Sequence, residues 1–291
     1  MSVDKLQDKI RKTKNPSVID FTVLPTQIPP YLLESEGAFL PAYVRVCREL
    51  MTGLQGSVPA VRFSFGYFAL HGSKGLQCLA QVLQFAENMG YYIFLDVMEM
   101  LSGQSAAYAA DILLNSSELK YDALIVTAYI GSDGLRPYAE KLKDLDKAIF
   151  PVIRTGNRSA SEVQDLLTGS RLVHLAKADI ANRFAESLVG RSGYSNVGIM
   201  AAATSVDSLK SLRSKFAKLF FILDGYDYPN ANAKNCSYAF DNLGHGAAVC
   251  AGSSITAAWQ QEQSDGWQYV QQAVDAAERM KKNLTRYVTI L

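Results

Sequence analysis

The chain of 291 residues is 48% apolar and carries 29 basic against 28 acidic side chains, a formal net charge of +1. That length and apolar content can bury the core of one barrel-sized domain. The near cancellation of charge excludes the basic surface that nucleic acid or a membrane headgroup layer would require, which leaves a small-molecule ligand or a protein partner.

The start, Met1-Ser2-Val3-Asp4-Lys5-Leu6, has no apolar signal core, and no apolar run reaches the roughly 18 residues of a membrane span, so the expected location is the cytoplasm. Short β-rich apolar runs then alternate with longer helical patterns. Strands are expected near Ser17–Val23, Ala60–Phe65, Tyr91–Val97, Ala123–Thr127, Ile149–Arg154, Asn196–Ala202, Leu219–Leu223 and Ala247–Ala251. Such alternation is the signature of parallel β/α units. It predicts an α/β fold, a closed (β/α)8 barrel in a single domain over residues 1–291, with an N-terminal helical extension and a long C-terminal helix. Tyr92-Ile93-Phe94-Leu95 and Phe220-Phe221-Ile222-Leu223 are apolar at every position. That suits strands covered by helices on one face and by barrel core on the other.

Between the strands, Gly75–Asn88 places Leu76, Leu79, Ala80, Leu83 and Ala86 at helical spacing and stops at Asn88-Met89-Gly90. Ser205 reads as the N-cap of a helix with Leu209, Leu212 and Phe216 on one face. Trp267 to Leu284 reads as the terminal helix, its late basic residues matched to the helix dipole. The segment 226–242, rich in Asn, Ala and Pro, is expected to be an extended loop with a partly helical end. The cysteines Cys47, Cys78, Cys236 and Cys250 form no CxxC pair and read as reduced thiols. His71, His174 and His245 have no partner at metal or triad spacing and read as structural, His71 through helix capping or a backbone hydrogen bond.

The informative stretch is Leu95-Asp96-Val97-Met98-Glu99-Met100-Leu101-Ser102-Gly103-Gln104-Ser105, an apolar strand that ends at an aspartate before a small-residue helix. In shape and flanks it resembles the orotidine 5′-monophosphate decarboxylase family, longer bacterial subfamily, whose third strand ends in Asp-x-Lys-x-x-Asp. The resemblance runs along nearly the whole chain. Val61-Arg62-Phe63-Ser64-Phe65-Gly66 looks like the family's second strand, with arginine where the family has lysine. Asp122 to Asp133, through Thr127-Ala128-Tyr129-Ile130-Gly131, is similar to the segment ending Asn-Pro-Tyr-Leu-Gly. Arg154-Thr155-Gly156-Asn157 resembles Lys-Thr-Ser-Asn, and Ala202-Ala203-Thr204 resembles Gly-Ala-Thr.

What the resemblance implies is a decarboxylase scaffold with a rewritten site. Asp96 keeps the first aspartate, but the proton-donating lysine falls at Met98 and the second aspartate at Leu101. The strand-one aspartate falls at Thr22, the phosphate-binding arginine at Ser253, and the glycine-rich loop that grips phosphate at Asp224-Gly225-Tyr226-Asp227. A methionine supplies neither a cation nor a proton. Arg62 keeps its charge but is a poor acid. Asp96 either pairs with Arg62 or meets a ligand, and Glu99 either replaces the missing acid or is solvated.

The ligand pocket is expected to draw on Thr22, Thr127, Arg154, Thr204, Asp224, Ser253 and Ser254, the last two through free backbone amides at a helix start. Asp224 and Asp227 supply too few oxygens for a divalent cation and read as an Asp-Gly turn. No metal or cofactor is expected. Three outcomes remain open: a family member nearly inactive in decarboxylation, a barrel repurposed for another small anionic or nucleotide-like ligand, and a non-catalytic homodimeric or regulatory subunit. An enzyme keeps an open polar pocket, whereas an interaction protein can fill it with Phe21, Phe63 and Tyr228. A homodimer with Met98–Leu101 near its interface is expected, because that apolar segment would otherwise face water.

Overall fold

The computed structural model describes residues 1–98 and 105–291. Its strands are β1 (Ser17–Asp20), β2 (Ala60–Ser64), β3 (Tyr92–Asp96), β4 (Ala123–Thr127), β5 (Ala148–Val152), β6 (Leu167–Thr168), β7 (Arg171–Leu172), β8 (Ile199–Ala202), β9 (Phe221–Asp224) and β10 (Ala247–Ala251). Eight of them close into a parallel barrel in the order β1-β10-β9-β8-β5-β4-β3-β2, and β6 and β7 form a separate antiparallel hairpin. The longer helices are α1 (Ser2–Thr13), α2 (Phe39–Leu54), α3 (Gly72–Asn88), α4 (Ala106–Leu114), α5 (Ser132–Lys141), α6 (Val173–Ala185), α7 (Val206–Lys215) and α8 (Tyr269–Thr285). This is the expected (β/α)8 barrel.

The strand ends differ from expectation for local reasons. β1 stops at Asp20 and not at Val23, because the Asp20 carboxylate accepts from the Thr22 amide at 2.9 Å and the Thr22 hydroxyl at 2.7 Å, a turn that leaves the ladder. β8 starts at Ile199 and not at Asn196, whose side-chain oxygen is committed to the Val3 amide at 3.0 Å. Ser205 holds the N-cap position of α7 with its backbone carbonyl alone, which accepts from Leu209 at 3.0 Å, and its hydroxyl makes no cap bond.

Aromatic side chains fill the barrel. Tyr92, Phe94, Phe150, Phe220 and Tyr194 follow one another with ring centroids 5.0 to 6.3 Å apart, mostly tilted or edge-to-face. Phe150 demands Gly198, since a Cβ there would lie 2.3 Å from its ring. At the N-terminal end α1 closes the barrel: Ser2 bonds the Tyr92 hydroxyl and the Asp122 carbonyl, Asp4 accepts from the Ser192 amide, and Gln7 accepts from the Gly246 amide. Arg213 braces the neighbouring connections by donating to the carbonyls of Ala239, Leu219 and Gly246. With one end plugged, the C-terminal rim carries the open mouth, where barrels of this type hold their sites.

Candidate functional site

The parallel register brings the ends of neighbouring strands together. Asp20 lies beside Arg62 across β1 and β2, Ser64 beside Asp96 across β2 and β3, and Ala202 beside Asp224 across β8 and β9. Arg62 is the hub. Its guanidinium meets Asp20 at 3.2 Å, Asp96 at 2.5 Å and Asp224 at 3.0 Å. Burial pulls the Arg62 pKa down, and the three carboxylates outweigh it and hold it well above its ordinary value. Burial pushes the Asp224 carboxyl up, against the pull of Arg62 and with the help of Asp20 and Asp96. Asp96 is fully used, because its second oxygen accepts from the Met98 amide at 3.0 Å. Of the alternatives open in the sequence, the Arg62–Asp96 ion pair is the one formed. Met98 is half-buried against the core, while Glu99 and Leu101 lie outside the described residues.

Above this cluster is a cavity of about 330 Å³, walled by Asp20, Thr22, Asp224, Asp227, Tyr228 and Ser253, among others. Of the residues expected in a ligand pocket, Thr22, Asp224 and Ser253 line this cavity. The remaining expected pocket residues do not line it. Thr127 accepts from the Tyr129 amide, Thr204 donates to the Gly156 carbonyl, and Arg154 is held by Asp165 through two bonds of 2.9 and 2.8 Å.

After β10 the Gly252 amide donates to Asp227 at 2.7 Å and the Ser254 hydroxyl donates to the other Asp227 oxygen, which places a carboxylate of the chain itself beside this helix start. The Tyr228 ring lies against Gly156 and Gly225, where added Cβ atoms would sit 2.9 and 2.5 Å from it; Gly225 also has a φ of 80°. Phe21 and Phe63 stack on each other in the core at 5.2 Å and leave the mouth open.

Asp20 and Asp227 are the two mouth carboxylates that the expected pocket lacks. Asp20 ends an apolar run just as Asp96 does, two residues before Thr22, where the resemblance puts the strand-one aspartate. Asp227 acts through a contact with residues 25 and 27 positions away, which no local pattern shows. His174, expected to be structural, has partners that sequence spacing does not show. Its Nδ1 faces the Gln164 carbonyl at 3.0 Å and Asp165 at 3.1 Å, and its Nε2 faces the Ser208 hydroxyl at 3.0 Å. With two acceptors at Nδ1 the proton sits there, and Ser208 donates to Nε2. Both side chains are buried, and the group ties the β5 loop to α6 and α7. His71 is the N-cap residue of α3 and accepts from the Gly75 amide through its backbone carbonyl; its side chain makes no cap bond and packs on Phe39 and Tyr67. Among the described residues, no group of His, Cys, Asp and Glu is arranged to hold a metal ion, and no helix is long and apolar enough to cross a membrane.

No family model matches the chain. Individual relatives do: the orotidine 5′-phosphate decarboxylase of Clostridium novyi is 24% identical over 285 residues, covering 98% of each chain, and that of Rhodopirellula baltica is 27% identical over 227 residues, covering 76% of this chain and 75% of its own. The chain is thus similar to orotidine 5′-phosphate decarboxylases over most of its length. Solved structures agree in fold. The Leishmania donovani OMP decarboxylase superposes with a TM-score of 0.72 at 20% identity, covering 97% of this chain and 100% of that one. The Plasmodium berghei orotidine 5′-monophosphate decarboxylase gives 0.74 at 14% identity, covering 96% and 99%.

Proposed function

We propose that this chain is a decarboxylase-family barrel that does not decarboxylate orotidine 5′-monophosphate at a useful rate and holds a different small ligand in its mouth. The observation that carries this reading is Asp227 on the Gly252 amide and Ser254 hydroxyl, an internal anion where a substrate phosphate would otherwise be held. Met98 points the same way. Loss of carbon dioxide leaves the electron pair of the broken bond on a ring carbon, a carbanion-like centre that needs an adjacent cation and a proton source, and a thioether offers neither. The open polar cavity of about 330 Å³ favours a small ligand over a mouth sealed by aromatics.

A homodimer is part of this reading, supported by α4, which exposes Tyr108 (73%) and Ile112 (53%) one turn apart.

Repair of the site tests the proposal. In an ultraviolet assay of orotidine 5′-monophosphate loss, Met98→Lys alone is expected to stay near background. The triple variant Met98→Lys, Leu101→Asp, Ser253→Arg is expected to exceed it by about tenfold or more, because groups that act as a unit are strongly non-additive. A single variant as active as the triple contradicts the proposal.

A further inference from the structure

The loop after β9 has two sides, and only one faces the acidic mouth. On the other, between its helical end (Ala233–Ser237) and the end of α8, is a second concavity of about 520 Å³. Tyr226, Asn232, Lys234, Asn283, Arg286 and Tyr287 line it, and Tyr226 also lines the mouth. The charged groups of its wall are Lys234 and Arg286, both positive, with no carboxylate between them. Neither has an ion-pair partner among the described residues. Two like charges that share a concavity repel each other, and both gain from an anion placed between them. The planar guanidinium fork suits a phosphate or carboxylate in particular.

The rest of the wall suits a ring. Tyr287 leaves 53% of its surface exposed, and Tyr226 adds a second aromatic face. The Asn232 oxygen is committed to the Asn235 amide at 2.9 Å, which leaves its NH₂ as a donor, and Asn283 brings another side-chain amide. We propose that this groove is a binding site for a phosphate or carboxylate carried on a planar ring, distinct from the barrel mouth. The proposal does not rest on the reading of the mouth, so failure of either leaves the other standing.

Phenyl phosphate is the probe, titrated calorimetrically into the full chain at low ionic strength. Saturable binding is expected, weakened about tenfold or more by Lys234→Glu with Arg286→Glu and by 0.5 M salt, which screens exposed charges. Tyr287→Ala should weaken phenyl phosphate while leaving inorganic phosphate unchanged, and Thr22→Val in the mouth should change neither. Lys234, Arg286 and Tyr287 are exposed, so these variants should fold, with melting curves as the check. If the charge reversals unfold the chain, the salt series and Tyr287→Ala still decide. The proposal is overturned by the absence of saturable binding, by binding indifferent to salt and to Tyr287→Ala, or by binding that Thr22→Val abolishes.

Discussion

Arg62 sets the electrostatics of the mouth, because three carboxylates converge on a side chain only 12% exposed. Removing one partner of a buried pair typically costs about 3–5 kcal/mol. Arg62→Met is therefore expected to lower the unfolding free energy by about 3 kcal/mol at pH 7, measured in urea. The sign of its pH dependence follows from Asp224. A carboxyl held above its ordinary value gives stability that is full at low pH and is lost as pH rises through the raised value. Without Arg62 the pull that opposes the rise at Asp224 is gone, so the deficit should shrink toward about pH 4. A deficit independent of pH would contradict the ion-pair account.

Lys177 gives the opposite case. Burial pulls its ammonium down to about 7, and among the described residues its partners are the Ile153 carbonyl at 3.0 Å and the Tyr129 ring at 3.6 Å. A base with a lowered folded value gives stability that is full above its unfolded value and is lost as pH falls through the folded one. The chain should thus gain stability from pH 7 toward pH 10, by as much as roughly 4 kcal/mol from this group. Lys177→Met should flatten that rise in urea titrations at several pH values; an unchanged slope would assign it elsewhere.

At the scale of elements, each barrel strand was legible because a parallel strand buried on both faces is an apolar run, and eight such runs punctuated by helical patterns have few other solutions. The hairpin of β6 and β7 was not legible. Each strand has two residues, too few for any period, and Leu167 is exposed. Gly198 shows how closely β5 and β8 meet: Gly198→Ala drives a methyl into the Phe150 ring and should cost about 1–3 kcal/mol, read as a lowered melting temperature. The exposed face of α4 predicts a dimer at micromolar concentration that Tyr108→Glu with Ile112→Glu converts to a monomer in sedimentation velocity. A monomeric parent chain would leave that face unexplained.

For the molecule as a whole, the frame and part of the site were readable and the rest was not, for a single physical reason. Asp96, Met98 and Arg62 sit on or directly after strands, so their places follow from the barrel. Arg154 is drawn off by Asp165, and Asp227 reaches across to the β10 loop; both are loop choices that strand periodicity does not encode. The scaffold is that of the family, and the mouth carries an internal anion and no proton donor at Met98. The most direct test is the rate at which the purified, unmodified chain consumes orotidine 5′-monophosphate at pH 7. General acid catalysis alone contributes about 10²–10⁴-fold, and the missing cation removes an electrostatic contribution of similar size. The expected result is loss of substrate at the spontaneous rate. Robust turnover, abolished by Arg62→Met, would contradict it and give Arg62 the role of the missing lysine.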